Sequence, residues 1–169
     1  LPTEETKVSV KYSQINTGFL MFGYLGPEAS DIKNSTILEM ISIILGEGSS
    51  ARLYRRLIEK AKKPVFNVVS CDFYSFRDGG NFFIQANFKP DYKNEAIELI
   101  KEQVNELIKN GITQKELRKA KKKLKSCFAE NSETVSDIAD TIGYYMTVCN
   151  NLECVEEYVE TIDKITTEE

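Results

Sequence analysis

VFNVVSCDFYSFRDGGNFFIQANFK, residues 65–89, holds two apolar-rich segments around Arg77-Asp78-Gly79-Gly80. In the second segment Phe82, Ile84, Ala86 and Phe88 fall on one side of a two-residue period, and Asn81, Gln85 and Asn87 on the other. That is the pattern of a half-buried strand. Asp-Gly between two such segments predicts a tight turn, because glycine accepts the positive φ that the turn requires. The stretch therefore reads as an antiparallel hairpin with strands over about 65–76 and 81–89.

Upstream, Pro64 separates the hairpin from GEGSSARLYRRLIEK, residues 46–60. Ser49 or Ser50 is placed to cap a helix whose Leu53, Leu57 and Ile58 point inward, with Arg52, Arg55, Arg56 and Lys60 mostly outward. Before it, Asp31 is placed to cap a helix running to Leu45. Its Ile37, Leu38, Met40, Ile41, Ile43, Ile44 and Leu45 leave little polar face, so the helix is expected to be covered on most sides. Gly46 is expected at the C′ position. GFLMFGYL, 18–25, closed by Gly26-Pro27, reads as a well-buried strand, and 6–12 alternates like another.

Downstream the periods are helical. Residues 91–110 carry Ala96, Ile97, Leu99, Ile100, Val104, Leu107 and Ile108 and stop at Asn110-Gly111. Thr113 and Glu116 form a capping box for a helix through about Phe128. A helix over about 133–149 spaces Ile138, Ile142, Tyr145, Met146 and Cys149 for burial, and one over about 152–164 uses Val155, Tyr158, Val159 and Ile162. Strands first and helices after predict one α+β domain over 1–169: a largely antiparallel sheet with helices packed on one face, a two-layer sandwich. The chain opens on Leu1, and Thr166–Glu169 is a further capping box announcing a helix, so an excised piece of a longer polypeptide is expected.

Composition narrows the chemistry. A net charge of −4 gives no global attraction to nucleic acid or anionic membrane, and no apolar run approaches a bilayer span. Cys71, Cys127, Cys149 and Cys154 have no C-x-x-C spacing and sit in apolar patterns, so reduced, buried thiols and a reducing compartment are expected. The chain has no histidine, which removes the imidazole of a Ser-His-Asp or Cys-His site and the commonest zinc ligand. Gly46-Glu47-Gly48-Ser49-Ser50 is not a phosphate loop: no lysine follows its glycines, a helix feeds it, and Glu47 repels an anion. Ser49-Ser50 has no base to activate a nucleophile. QKELRKAKKKLK, 114–125, carries seven Lys or Arg in twelve residues, but no aromatic to stack on a base. With Leu117, Ala120 and Leu124 as its apolar stripe, it reads as a solvated helix face, which the acidic residues at 153, 156, 157 and 160 either face or simply balance in charge.

Several spaced motifs, in order, then carry a resemblance across nearly the whole chain. GYLGPEASD (23–31), ILEMISIILGEGSSARLYRRLIEK (37–60), the hairpin (64–90), GITQKELRKAKKKLKSCFAENSE (111–133) and EEYVETIDKITTEE (156–169) resemble the second domain of the pitrilysin/insulinase (inverzincin) family of zinc metallopeptidases, which includes the processing peptidases. In that domain a "GP…D" strand end precedes a long apolar helix, a glycine-serine corner, a hairpin and a "G.T..EL..AK..L" helix. The resemblance implies pairing with a sister peptidase domain, in the same chain or a paired subunit, around a chamber that takes peptide substrate. It also implies that zinc, on a His-x-x-Glu-His helix, belongs to the sister domain. This segment would then hold no catalytic residue, no metal and no cofactor of its own, and would bind neither nucleic acid nor membrane.

Some family members place an arginine and a tyrosine here to hold the substrate backbone; the matching positions are Ile58 and Val65, both apolar. In processing-peptidase relatives a glycine-rich loop near Gly46, Glu47, Gly48, Ser49 and Ser50 helps capture substrate, whereas five residues suit a structural corner between two helices better. The implied function is a non-catalytic domain of a zinc metalloendopeptidase. The alternative is a domain of a non-proteolytic homologue acting as scaffold or assembly subunit. A cytoplasmic setting is expected, and the resemblance also allows the mitochondrial matrix or the periplasm.

Overall fold

The computed structural model describes residues 16–169; the alternating stretch 6–12 lies outside them. The hairpin forms as read. Strand β2, Phe66–Phe76, pairs antiparallel with β3, Gly79–Phe88, and β1, Gly18–Gly26, pairs antiparallel with the other side of β3. Among the described residues the sheet order is β1-β3-β2, so β3 is central. Phe76 pairs with Gly79, leaving Arg77-Asp78 as the loop, and Gly79 takes the positive φ of 143°. β3 thus starts earlier than its alternation indicated. A bulge between Phe66 and Val68 shifts the period of β2, so that Phe66, Val69 and Cys71 all turn inward.

Helix α1, Ile32–Gly46, crosses the inner face of the sheet. Asp31 caps it, accepting the Asn34 N–H at 3.2 Å. As expected for a helix with little polar face, it is covered on two opposite sides. Leu38, Ile41 and Leu45 pack with Val69, Cys71, Ile84, Ala86 and Phe88 of the sheet, a core shared with helix α3, Lys93–Asn110. Met40 and Ile44 face Leu117, Ala120 and Leu124 of helix α4, Gln114–Glu130, and Ile162 of helix α6, Glu153–Lys164. The helices lie on one face of the sheet as expected, and that side is two helices deep over α1.

Three local expectations are corrected. Gly46 is the last helical residue of α1, not its C′ residue; Glu47 closes the helix through its N–H to the Ile43 carbonyl, and the positive φ, 76°, falls on Gly48. Neither Ser49 nor Ser50 caps helix α2, Arg52–Tyr54; the N-cap is Ala51, whose burial in the core sets where the helix begins. From Arg55 to Glu59 the helix widens into a π turn, closed by the Lys60 N–H to the Arg55 carbonyl at 3.0 Å.

The third correction concerns helix α5, Val135–Val148, capped by a Thr134–Asp137 box. None of its residues is buried, and Ile138 and Ile142 are each 44% exposed. The helix stands at the margin of the helical layer. Tyr144 donates to the Ser75 carbonyl at 3.1 Å, and the Cys149 thiol meets the Ala29 carbonyl at 3.4 Å. The less exposed side of the helix carries Asp137, Thr141, Tyr145 and Cys149, so Ile138, Ile142 and Met146 of the expected stripe stay exposed, and Tyr145 borders a cavity instead of a core.

All four cysteines are free; Cys71 and Cys154 are buried, whereas Cys127 and Cys149 are only half-buried. The Thr113–Glu116 capping box on α4 is present in both directions.

Candidate functional site

The glycine-serine corner lies against the edge of β2, not in a gap between two helices alone. A cleft of about 350 Å³ separates them, lined by Ser42, Gly46, Glu47 and Gly48 on one side and by Ser70 through Tyr74 on the other. Gly46 comes closest: an added Cβ would stand 2.2 Å from the Cys71 backbone nitrogen. Of the five corner residues singled out from sequence, Gly46, Glu47 and Gly48 line the cleft, while Ser49 and Ser50 are exposed and outside it. The Glu47 carboxylate is held at 3.0 Å by Lys123 of α4, which offsets its charge at the corner.

Ile58 and Val65 stand away from this cleft. Ile58 packs partly buried against the core, and Val65 is 2% exposed. Both belong to the hydrophobic interior, where a charged or hydroxylated side chain would need a partner.

The cleft opens onto a surface that sequence reading did not anticipate, the outer face of the sheet. β1 was read as well buried, yet Phe19, Met21 and Leu25 are 67%, 63% and 66% exposed there. Register brings them into rows. Phe19 lies across Asn87 from Val68, Met21 across Gln85 from Ser70, and Leu25 across Asn81 from Tyr74. Tyr74 stacks on Phe83 with ring centroids 5.7 Å apart. Apolar side chains thus surround the amides of Asn81, Gln85 and Asn87, with Phe83 between them on the central strand and Asp72 on β2 beside Phe83. Such a face offers apolar contact and neutral hydrogen-bond groups, with little charge to select by. The sequence did contain the signal: β1 is apolar at odd and even positions alike, while the helices were expected on one side of the sheet, which leaves its other apolar face without a helix.

The corner is braced from behind. Arg52 Nε and Nη2 donate to the two carboxylate oxygens of Glu116 at 2.6 and 2.8 Å, and Nη2 also reaches the Gly111 carbonyl at 2.9 Å. The Arg52 guanidinium, helped by the Thr113 N–H and hydroxyl, holds the Glu116 carboxyl down at about 2. The basic run of α4 is engaged similarly. Lys121 donates to the Asp163 carbonyl and Lys125 pairs with its carboxylate, while Lys123 holds Glu47. Among the described residues these lysines pair with Asp163 and Glu47, and not with the acidic positions 153, 156, 157 and 160.

Among the described residues, no group of three or more Cys, Asp or Glu converges as a metal site would. None of the described helices is long and apolar enough to cross a membrane.

Comparison with known proteins places this arrangement. The family described as the peptidase M16 inactive domain matches residues 2–124. The zinc protease PqqE of Helicobacter pylori is 30% identical over 145 residues, 85% of this chain and 32% of that protein. The probable mitochondrial-processing peptidase subunit alpha-2 of Arabidopsis thaliana is 27% identical over 123 residues, 72% of this chain and 24% of that protein. The chain therefore spans about a quarter to a third of the length of these relatives. Among solved structures, a protease from Helicobacter pylori superposes with a TM-score of 0.83 at 26% identity, covering 94% of this chain and 38% of that one. The peptidase M16 inactive domain from Pseudomonas fluorescens gives 0.77 at 25% identity, over 90% of this chain and 35% of that one.

Proposed function

The chain belongs to the peptidase M16 inactive-domain family, and from that premise we propose that it forms part of the wall of a peptide-binding chamber whose zinc and hydrolytic groups lie in a sister domain. The outer sheet face carries this reading. Its exposed Phe19, Met21, Leu25 and Tyr74, spaced around Asn81, Gln85 and Asn87, suit an extended, unfolded peptide. Apolar side chains would rest on the rings and aliphatic groups, and main-chain groups would meet the amides. The edge of β2 that pairs with no strand among the described residues, next to the glycine corner, gives a second mode, strand addition through main-chain hydrogen bonds. In this reading Gly46, Glu47 and Gly48 shape the mouth of that edge cleft and do not themselves capture substrate.

The division of labour follows from chemistry. The chain has no imidazole, and among the described residues no three or more Cys, Asp or Glu converge to hold a metal that would activate water. What they supply is a surface that grips and orients.

Site-specific photocrosslinking tests the proposal. A benzophenone side chain is placed at Phe19 or Tyr74 in the chain assembled with its sister domain, and an unfolded polypeptide is added. Crosslinks are expected from both positions, and not from Glu156 on the outer surface of α6. Crosslinking from Glu156 but from neither sheet position would reject the chamber wall. If the zinc-loaded assembly binds peptide without cleaving it, the scaffold function of a non-proteolytic homologue is the correct one.

A further inference from the structure

On the side of α1 away from the sheet, the half-buried Glu39 points into an open cavity of about 420 Å³ bordered by α4, α5 and α6. Tyr158 of α6 donates to its Oε2 at 2.6 Å. No lysine or arginine lines the cavity, and Glu39 takes part in no ion pair among the described residues. A carboxylate withdrawn from water with a single neutral donor and no counter-ion is an unbalanced group. Burial accordingly pushes the Glu39 carboxyl up, and Tyr158 is pushed up in turn by its own burial and by that charge.

The rest of the lining has the same polarity. Asp137 and Asp140 of α5 stand at the rim, and Tyr144, Tyr145 and Tyr158 supply aromatic walls, with Phe128 packed 6.0 Å from the Tyr158 ring. Leu124 and Cys127 form an apolar base. A bare metal ion does not suit it, since the acidic groups do not converge at ligand distances and the space is that of a small organic group. Carboxylates with aromatic faces and an apolar base match a planar organic cation on an aliphatic stem, which pairs with the acid and stacks on the rings.

We propose that the cavity between α1, α4, α5 and α6 is a binding site for an alkylguanidinium group, with Glu39 as its counter-ion and Tyr145 and Tyr158 as its walls. Two sources share that chemistry: a free small guanidinium compound, or an arginine side chain of a peptide. The site lies across α1 from the sheet face and does not rest on the chamber proposal.

Titration of the 169-residue chain with butylguanidinium tests it, followed through the ring resonances of Tyr145 and Tyr158 in methyl- and aromatic-labelled protein. Saturable shifts at both rings are expected, and butylurea, its neutral counterpart, is expected to give none. Glu39→Gln keeps the acceptor for Tyr158 but removes the charge, and should weaken binding at least about tenfold. Tyr145→Leu keeps the charge and removes a wall, and should weaken it several-fold while Glu39 stays intact. Circular dichroism melts of each variant confirm that it is folded. Equal binding of butylurea, an unchanged Glu39→Gln, or no saturation by butylguanidinium in the folded wild type would each overturn the proposal. An arginine-containing peptide that binds more tightly than butylguanidinium identifies the peptide source; equal or weaker binding identifies the free compound.

Discussion

Gly46 at the end of α1 touches the backbone of Cys71 in the middle of β2 so closely that a Cβ would stand 2.2 Å from the Cys71 nitrogen and 2.7 Å from its Cα. That contact fixes how far the first helix reaches across the sheet, and with it the position of the glycine corner over the β2 edge.

The first prediction follows from it. Gly46→Ala sets a methyl group against backbone that has no rotamer to change, so α1 and β2 must separate. Urea denaturation is expected to show a loss of about 2–4 kcal/mol, the scale of a severe packing conflict. Gly48→Ala meets open space but keeps a φ of 76°, and should cost only about 1–2 kcal/mol. Gly143→Ala, inside α5 with nothing within 4 Å, should gain about 1 kcal/mol from helix propensity. A Gly46→Ala variant as stable as wild type would show that the helix does not rest on the strand.

The second prediction concerns the brace between α2 and α4. Glu116 has its carboxyl lowered from 4.5 to about 2 by Arg52, so the folded state binds its proton less readily than the unfolded chain does. The associated stability is fully present above about pH 4.5 and disappears as pH falls toward 2. Glu116→Gln should therefore cost about 1–3 kcal/mol near neutrality, the range for a hydrogen bond to a charged group. The gap from wild type should close in acid. Arg52→Lys, which cannot bridge both oxygens, should lose most of the same stability. A gap that stays constant from pH 7 to pH 2 would assign the cost to the capping box alone.

How much of this was legible beforehand depended on whether a signal was local. The capping box of Thr113 and Glu116 is written within four residues, and it formed. The hairpin is written in the alternation of 82–88, and it formed too. Gly46 was expected only as a helix end and part of a corner between two helices; its contact with Cys71 was not legible because that neighbour is distant in sequence. α5 shows the same limit. Its spacing gives an apolar stripe, but only the tertiary arrangement decides which side turns inward; here Ile138, Ile142 and Met146 stay exposed and Tyr145 borders the cavity containing Glu39. The outer sheet face was missed because an apolar strand was equated with a covered one, and Phe19, Met21 and Leu25 are not covered.

A third prediction addresses metal. The chain lacks histidine, and its described Cys, Asp and Glu residues form no converging set. Elemental analysis after purification without chelators is expected to find no stoichiometric zinc in the isolated chain, and incubation with unfolded peptide should yield no cleavage. One zinc per chain, retained through gel filtration, would refute the assignment of the metal to a sister domain.

The fourth prediction uses the thiols as reporters of the same packing. Cys71 lies in the core under Gly46, 5% exposed, and burial pushes its thiol up beyond the usual cysteine range. Cys154 is also buried, at 8%. Cys149 is half-buried, with its thiol pushed up to about 11 by burial and by its neighbour Cys154. Since only the thiolate reacts, a disulfide reagent at pH 8 should modify Cys127 first, Cys149 more slowly, and Cys154 and Cys71 only on local opening or unfolding. In Gly46→Ala the displaced helix should uncover Cys71, so its labelling should accelerate while that of Cys127 is unchanged. Acceleration of all four thiols together would indicate global destabilisation, and acceleration of Cys71 alone would locate the damage at the contact between α1 and β2.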